Sequence, residues 1–308
     1  MNACQLPPPW VREVPLAGDA STRRYSRLWD SSGATAIMVR YPEDVRGQIV
    51  RDLETRLWCE RHGVRVPALF THPSGSDWAV LEDLGPADAE RTLMAAPTGD
   101  RFTMILRTLE PMAALAGLAT SELPGWNAPL DAARLRWELT GFEMWFLSQR
   151  CGLRPQPVIG EWLDRLAAEI DRHPKRICHR DFHLNNLFFL ANGEVGVIDF
   201  QDILVGPDTY DIVSLLNERA TPDLLDEAHR AEIASTWARC TSAEVGWDLR
   251  GRQVRLQRAL KVLGTFARFE SSGKIAYVPW MLSLAGAVVP ELREAGAPPA
   301  LIDRLLDL

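Results

Sequence analysis

The sequence is short of paired cysteine, of excess positive charge and of long apolar runs, and each shortage excludes a class of protein. Its five cysteines, Cys4, Cys59, Cys151, Cys178 and Cys240, are scattered and form no C-x-x-C pair. Neither a disulfide framework nor a zinc site is indicated, and the thiols read as reduced core or surface residues. The formal charge of −7 argues against a general binder of nucleic acid or anionic membrane, and any cationic pocket must be small. No basic segment followed by an apolar one opens the chain, and no apolar run approaches the roughly 20 residues of a spanning helix. The expected address is therefore the cytoplasm. No internal repeat is visible, and Pro-rich Leu6 to Trp10 reads as an irregular start.

What is present is apolar content of 46% over 308 residues, enough to bury a large core in one big domain or two unequal lobes. Leu16 to Trp29 and Thr35 to Tyr41 read as a hairpin around Asp30-Ser31-Ser32-Gly33. From Val45 to His62 the apolar residues Ile49, Leu53, Leu57 and Trp58 recur at helical spacing, and Gly63 stops the helix. After the short apolar strand Trp78 to Leu81, Glu82-Asp83-Leu84-Gly85-Pro86 has turn chemistry. A helical pattern then recurs through Leu106, Leu139, Leu163 and Leu260. The expected class is α+β: a small β-rich N-terminal lobe with one main helix, residues 1–84, and a larger, mainly helical lobe, residues 85–308.

One compact exception interrupts the helical part. Between Leu187 and Ile198, apolar residues flank Ala191-Asn192-Gly193-Glu194, and Asn-Gly is a strong hairpin signal. In a two-residue hairpin centred on Asn192-Gly193, opposed residue numbers sum to 385, which sets Asn186 against Asp199 on one face. An amide oxygen beside a carboxylate, with Asp181 five residues upstream, makes a hard oxygen site suited to Mg²⁺ that keeps water and phosphate ligands. The run His179-Arg180-Asp181-Phe182-His183-Leu184-Asn185-Asn186, followed by Ile198-Asp199-Phe200, fits the pattern H-R-D-x-x-x-x-N with a later metal-binding Asp. Asp181 is then the base for an attacking hydroxyl, and Asn186 and Asp199 hold the metal at the ATP phosphates. His183 either orients the loop or approaches substrate.

These residues resemble the aminoglycoside phosphotransferase family, a branch of the protein-kinase-like fold, whose loop often reads H-G-D-x-H-x-x-N. Gly196-Val197-Ile198-Asp199-Phe200-Gln201-Asp202, Gly206-Pro207 and Tyr210-Asp211-Ile212-Val213-Ser214 are similar to a subgroup of bacterial cell-wall amino-sugar kinases. So are Gly18 to Tyr25 and Leu263 to Arg268 with Gly273-Lys274, although Ser271-Ser272 stand where that subgroup has Arg-Asp. The resemblance implies a bilobal kinase fold and transfer from ATP to the anomeric hydroxyl of N-acetylmuramic acid or N-acetylglucosamine. Relatives of the same fold that phosphorylate aminoglycosides, choline, homoserine or hexoses are the alternatives. A catalytically silent nucleotide-binding scaffold is a further one. The expected partner is a small amino sugar, with no nucleic acid or membrane, and the expected state is a monomer.

A G-x-G-x-x-G loop is absent, so phosphate cover falls to Gly18 to Arg24, where Ser21, Arg23 and Arg24 add donors. Arg23 and Arg24 alternate along a strand, so one of them faces the phosphates. No lysine occupies Ala36 to Arg40, which leaves Arg40 either as a cation that could pair with Glu54 on the following helix or as the solvent-facing end of a strand. The resemblance makes Glu82 to Leu84 an adenine-contacting hinge, His179 a structural support and Asp211 a brace for the catalytic loop. Glu143, Trp145 and Arg268 are candidates for the sugar site, because polar groups beside an aromatic face suit a hydroxylated ring.

Overall fold

The computed structural model describes residues 6–16, 22–217, 220–243 and 245–307. The chain forms two compact units: Met1–Leu115 with Asp181–Asp202 and Arg219–His229, and Ala116–Arg180 with Ile203–Glu218 and Arg230–Leu308. Residues 1–84 fall in the first unit, and residues 85–308 contribute to both. The class is the expected α+β, with the β-rich part at the N-terminus and a larger, mainly helical part after it.

The first unit is built on β1 (Trp10–Pro15), β2 (Arg24–Asp30), β3 (Thr35–Arg40), α1 (Gln48–Arg61), β4 (Leu69–Thr71) and β5 (Trp78–Glu82). The strands form one antiparallel sheet in the order β1-β2-β3-β5-β4. The β2–β3 turn forms because Asp30 Oδ1 accepts the Ser32 and Ala34 N–H groups and Gly33 takes φ +91°. Strand alternation then sorts side chains to two faces. Leu28, Ala36, Met38 and Val80 pack with Trp10 on one face, while Val39 and Ala79 pack with Ile49 and Leu53 of α1 on the other. Strand β1 was hidden in the sequence by its charges and by Pro15, features tolerated at a sheet edge, which is where it lies.

Helices dominate the second unit. Ala132–Gly141, Pro157–Asp171, Trp247–Ser271, Val278–Glu294 and Pro299–Leu306 surround a core that includes Leu135, Phe142, Phe146, Leu163, Leu260 and Met281. Ala132–Gly141 runs on as a π-helix, Phe142–Arg150, which crosses Trp247–Ser271 at Gly264. The crossing is so close that a methyl group on Gly264 would lie 2.4 Å from the Phe142 backbone nitrogen. Contrary to expectation, Ile275–Glu294 is long and apolar enough by composition to cross a membrane. Its buried residues Met281, Ala285, Val288, Val289 and Leu292 lie at helical spacing and join the helical core.

Candidate active site

In the second unit, strand Lys175–Cys178 pairs with Leu204–Pro207 and delivers the chain to His179 and Arg180. The buried Asp211 carboxylate accepts the His179 N–H at 2.7 Å and the Arg180 N–H at 2.9 Å. Burial pushes the Asp211 carboxyl up, while His179 and the two N–H groups act against that rise. Arg180 takes φ +81°, a left-handed conformation unusual for a residue with a side chain. Its guanidinium pairs with Glu138 at 3.1 Å, and its carbonyl accepts from Arg258 at 3.1 Å.

Within the first unit, Asp181 and Asn186 are joined by a short turn. The His183 N–H donates to the Asp181 carbonyl at 3.0 Å, and the Asn186 N–H donates to the His183 carbonyl at 2.9 Å. Asn186 Nδ2 also donates to the Asp181 carbonyl, at 2.8 Å, so the amide is oriented by the loop it follows. The hairpin of Leu187–Phe189 and Val195–Val197 is present, but its register differs from the expected one by a residue. Leu187 opposes Val197, and the Ile198 N–H donates to the Asn186 carbonyl at 2.9 Å. The cause is a three-residue loop, Ala191 to Gly193, closed between Leu190 and Glu194 with Gly193 at φ +95°. Asp199 therefore lies beyond the ladder rather than opposite Asn186, at φ +61°. One of its carboxylate oxygens accepts from Gln201 Nε2 at 2.7 Å and lies 3.3 Å from Arg23 Nη2.

The cation beside Asp199 is Arg23. Its Nη1 lies 3.0 Å from Oδ2 of Asp52, a buried acid on α1, and the Tyr41 hydroxyl donates to the same oxygen at 3.0 Å. Burial raises the Asp52 carboxyl, and Arg23 and the Tyr41 hydrogen bond oppose it. Arg40, expected to pair with Glu54, pairs with Glu13 of β1, with Nη2 to Oε2 at 3.0 Å, and Glu54 is exposed. Alternation explains the difference: Arg40 shares the face of Ala36 and Met38, away from α1, whereas Arg23 has the parity of Tyr25 and Val39, toward α1. Arg24 is exposed and opposes Arg40 in the ladder. Gly18 and Ser21 lie outside the described residues.

Spacing could have revealed Asp52. Ile49, Asp52, Arg56 and Cys59 occupy the buried stripe of α1, where an acid needs a partner. Another omission is Arg27, whose Nε lies 2.6 Å from Asp83 Oδ2 and whose Nη2 donates to the Gly85 carbonyl at 2.8 Å. This pair fixes the turn after β5. Glu82 pairs with Arg65 and accepts the Ala68 N–H at 3.0 Å. Burial raises the Glu82 carboxyl, but Arg65 and the Ala68 bond outweigh it and hold the group below its ordinary value. Leu84 lies over Gly196 of the hairpin, where an added methyl group would come within 2.7 Å of Leu84 Cδ1.

The sugar-site candidates belong to different surroundings. Glu143 is ion-paired with Arg136 at 2.8 Å, Trp145 packs on the helical core, and Arg268 is exposed with its guanidinium near the Phe269 ring. His179 is fully buried, and His183 is half-buried in the loop after Asp181.

Residues 13–241 match the model of the phosphotransferase enzyme family. The N-acetylmuramate/N-acetylglucosamine kinase of Neisseria meningitidis serogroup B is 30% identical, over 85% of this chain and 80% of its own. The protein of that name from Pseudomonas aeruginosa is 29% identical, over 95% of this chain and 88% of its own. Among solved structures, an amicoumacin kinase in complex with AMP-PNP, Ca²⁺ and Ami superposes with a TM-score of 0.61 at 14% identity, over 83% of this chain and 80% of that one.

Proposed function

The chain belongs to the phosphotransferase enzyme family and carries its ATP-dependent transfer chemistry, and from that premise we propose that it phosphorylates the anomeric hydroxyl of an N-acetylated amino sugar. The acceptor is N-acetylmuramic acid, N-acetylglucosamine or both, and the product is the sugar 1-phosphate, a step in cell-wall recycling. The observation that carries the acceptor is near-full-length similarity to relatives named for these two sugars.

Asp181 accepts the proton of the attacking hydroxyl, and the tight turn from Asp181 to Asn186 holds its backbone in place. The donor set fits Mg²⁺, which takes one or two protein oxygens and keeps its waters. Asp199, with a carboxylate 38% exposed, and the Asn186 amide oxygen would hold it. When bound, Mg²⁺ offsets the charge of the phosphates. Arg23, set beside Asp199 by Asp52, supplies a positive charge for the same phosphates. Glu82 to Leu84, fixed by Arg27 and Asp83, offers backbone groups to adenine.

The test is a panel of N-acetylmuramic acid, N-acetylglucosamine, an aminoglycoside, choline, homoserine and glucose with ATP and Mg²⁺, with products resolved by phosphorus NMR. An anomeric phosphate on an N-acetylated sugar is the expected product. Phosphate on a 3- or 6-hydroxyl, or transfer to another acceptor alone, overturns the assignment.

A further inference from the structure

We infer that Glu138 is a positioning residue for Asp181 and acts through Arg180; the inference rests on the reading of Asp181 as the base. Arg180 is the residue immediately before Asp181, so what holds its backbone holds the peptide group that joins the two residues. At φ +81° it holds a conformation natural to glycine. The resembling family often places glycine there, whereas this chain must hold a full side chain in that conformation.

Arg180 is anchored at its amide, at its carbonyl and at its guanidinium. Asp211 takes the amide N–H, Arg258 donates to the carbonyl, and Glu138 takes the guanidinium. The first two act on the peptide groups and serve any residue type at this position. The third depends on Arg180 being an arginine. Glu138 has a side chain 2% exposed, and its Oε1 also lies 3.0 Å from Lys261 Nζ. Its Oε2 accepts from Gln257 Nε2 at 3.2 Å. Burial raises the Glu138 carboxyl, but Lys261 and Arg180 outweigh it and leave the group below its ordinary value, hence ionised at neutral pH. The pair thus binds the Arg180 side chain to a rigid point on helix Ala132–Gly141, itself packed in the core by Leu135 and Leu139.

A thermodynamic cycle separates positioning from general support of the fold. In Arg180→Gly the backbone adopts φ +81° without a side chain to anchor, so Glu138 loses its influence on Asp181, and Lys261, partly exposed, can turn to solvent. Glu138→Gln is expected to lower kcat about tenfold or more while KM for ATP stays within about twofold. The double variant should match Arg180→Gly in kcat. An equal fall in kcat from Glu138→Gln in both backgrounds, or no fall in either, overturns the inference. Should Glu138→Gln alone fail to fold, the double variant is compared with Arg180→Gly, where equal kcat supports the inference and a further fall overturns it. Wild type and Asp181→Asn in the same series report on the base separately, since loss of that reading would leave Asp181→Asn active.

Discussion

Replacing Arg23 by methionine tests the charge bridge at the candidate site and also gives a stability signature with a definite sign. The Arg23 and Asp52 side chains are 13% and 5% exposed, so the substitution strands a buried carboxylate. Removing one partner of a buried ion pair costs ~3–5 kcal/mol. The Tyr41 hydroxyl remains on Asp52, and Arg51 Nε lies 3.8 Å from its other oxygen, so the lower end, about 3 kcal/mol, is expected at pH 8. Burial already raises the Asp52 carboxyl, and loss of Arg23 raises it further. A carboxyl whose folded pKa exceeds its unfolded one stabilises most below the unfolded value and loses that contribution as pH rises through the folded value. The deficit of Arg23→Met relative to wild type should therefore be smaller at pH 5 than at pH 8 in urea unfolding followed by tryptophan fluorescence. Arg23→Met combined with Asp52→Leu removes both charges, and should recover to within about 1 kcal/mol of wild type. Equal deficits at the two pH values, or strictly additive losses in the double variant, would refute the bridge.

Gly264→Ala sets a methyl group 2.4 Å from the Phe142 backbone nitrogen and 2.5 Å from the Gly141 carbonyl carbon, so thermal unfolding should show a loss of about 2 kcal/mol despite the better helix propensity of alanine. Gly196→Ala meets only the rotatable end of Leu84 and should lose less than about 1 kcal/mol; the reverse order would contradict the packing described. Asp211→Asn replaces two charge-assisted acceptors with one neutral one, at a loss of about 2–4 kcal/mol, and hydrogen exchange should quicken at the His179 and Arg180 amides first. On the native protein a thiol reagent should label exposed Cys240 and spare Cys178 and Cys59, the latter with its thiol pushed up to about 12 by burial; early labelling of Cys59 would show the core of the first unit to be looser.

What the sequence disclosed and what it hid divide along physical lines. Local chemistry was legible: the Asp30 to Gly33 turn, the α1 periodicity and the Asn-Gly hairpin depend on neighbours a few residues apart. Register was not, because a two-residue and a three-residue loop both accept Asn192-Gly193, and the choice between them moves Asp199 by one place. The charge pairs were harder still. Arg23 and Arg40 are equivalent as composition, and only the parity of β2 and β3 against α1 sends one to Asp52 and the other to Glu13. Two acids did leave a trace that periodicity could have exposed: Asp52 and Glu138 both sit in the buried stripe of a helix, among residues such as Ile49 and Leu135. The turn after β5 was legible as a turn, but the arginine that fixes it comes from 56 residues upstream, a separation no local pattern spans.

The central claim is that Asp181 takes the proton of the acceptor hydroxyl in phosphoryl transfer. Asp181→Asn measured for turnover of N-acetylglucosamine and N-acetylmuramic acid, with nucleotide affinity determined by titration calorimetry on the same sample, tests it most directly. The account predicts a kcat lower by at least about a hundredfold with nucleotide affinity within a few-fold of wild type. Turnover at the wild-type rate would contradict it.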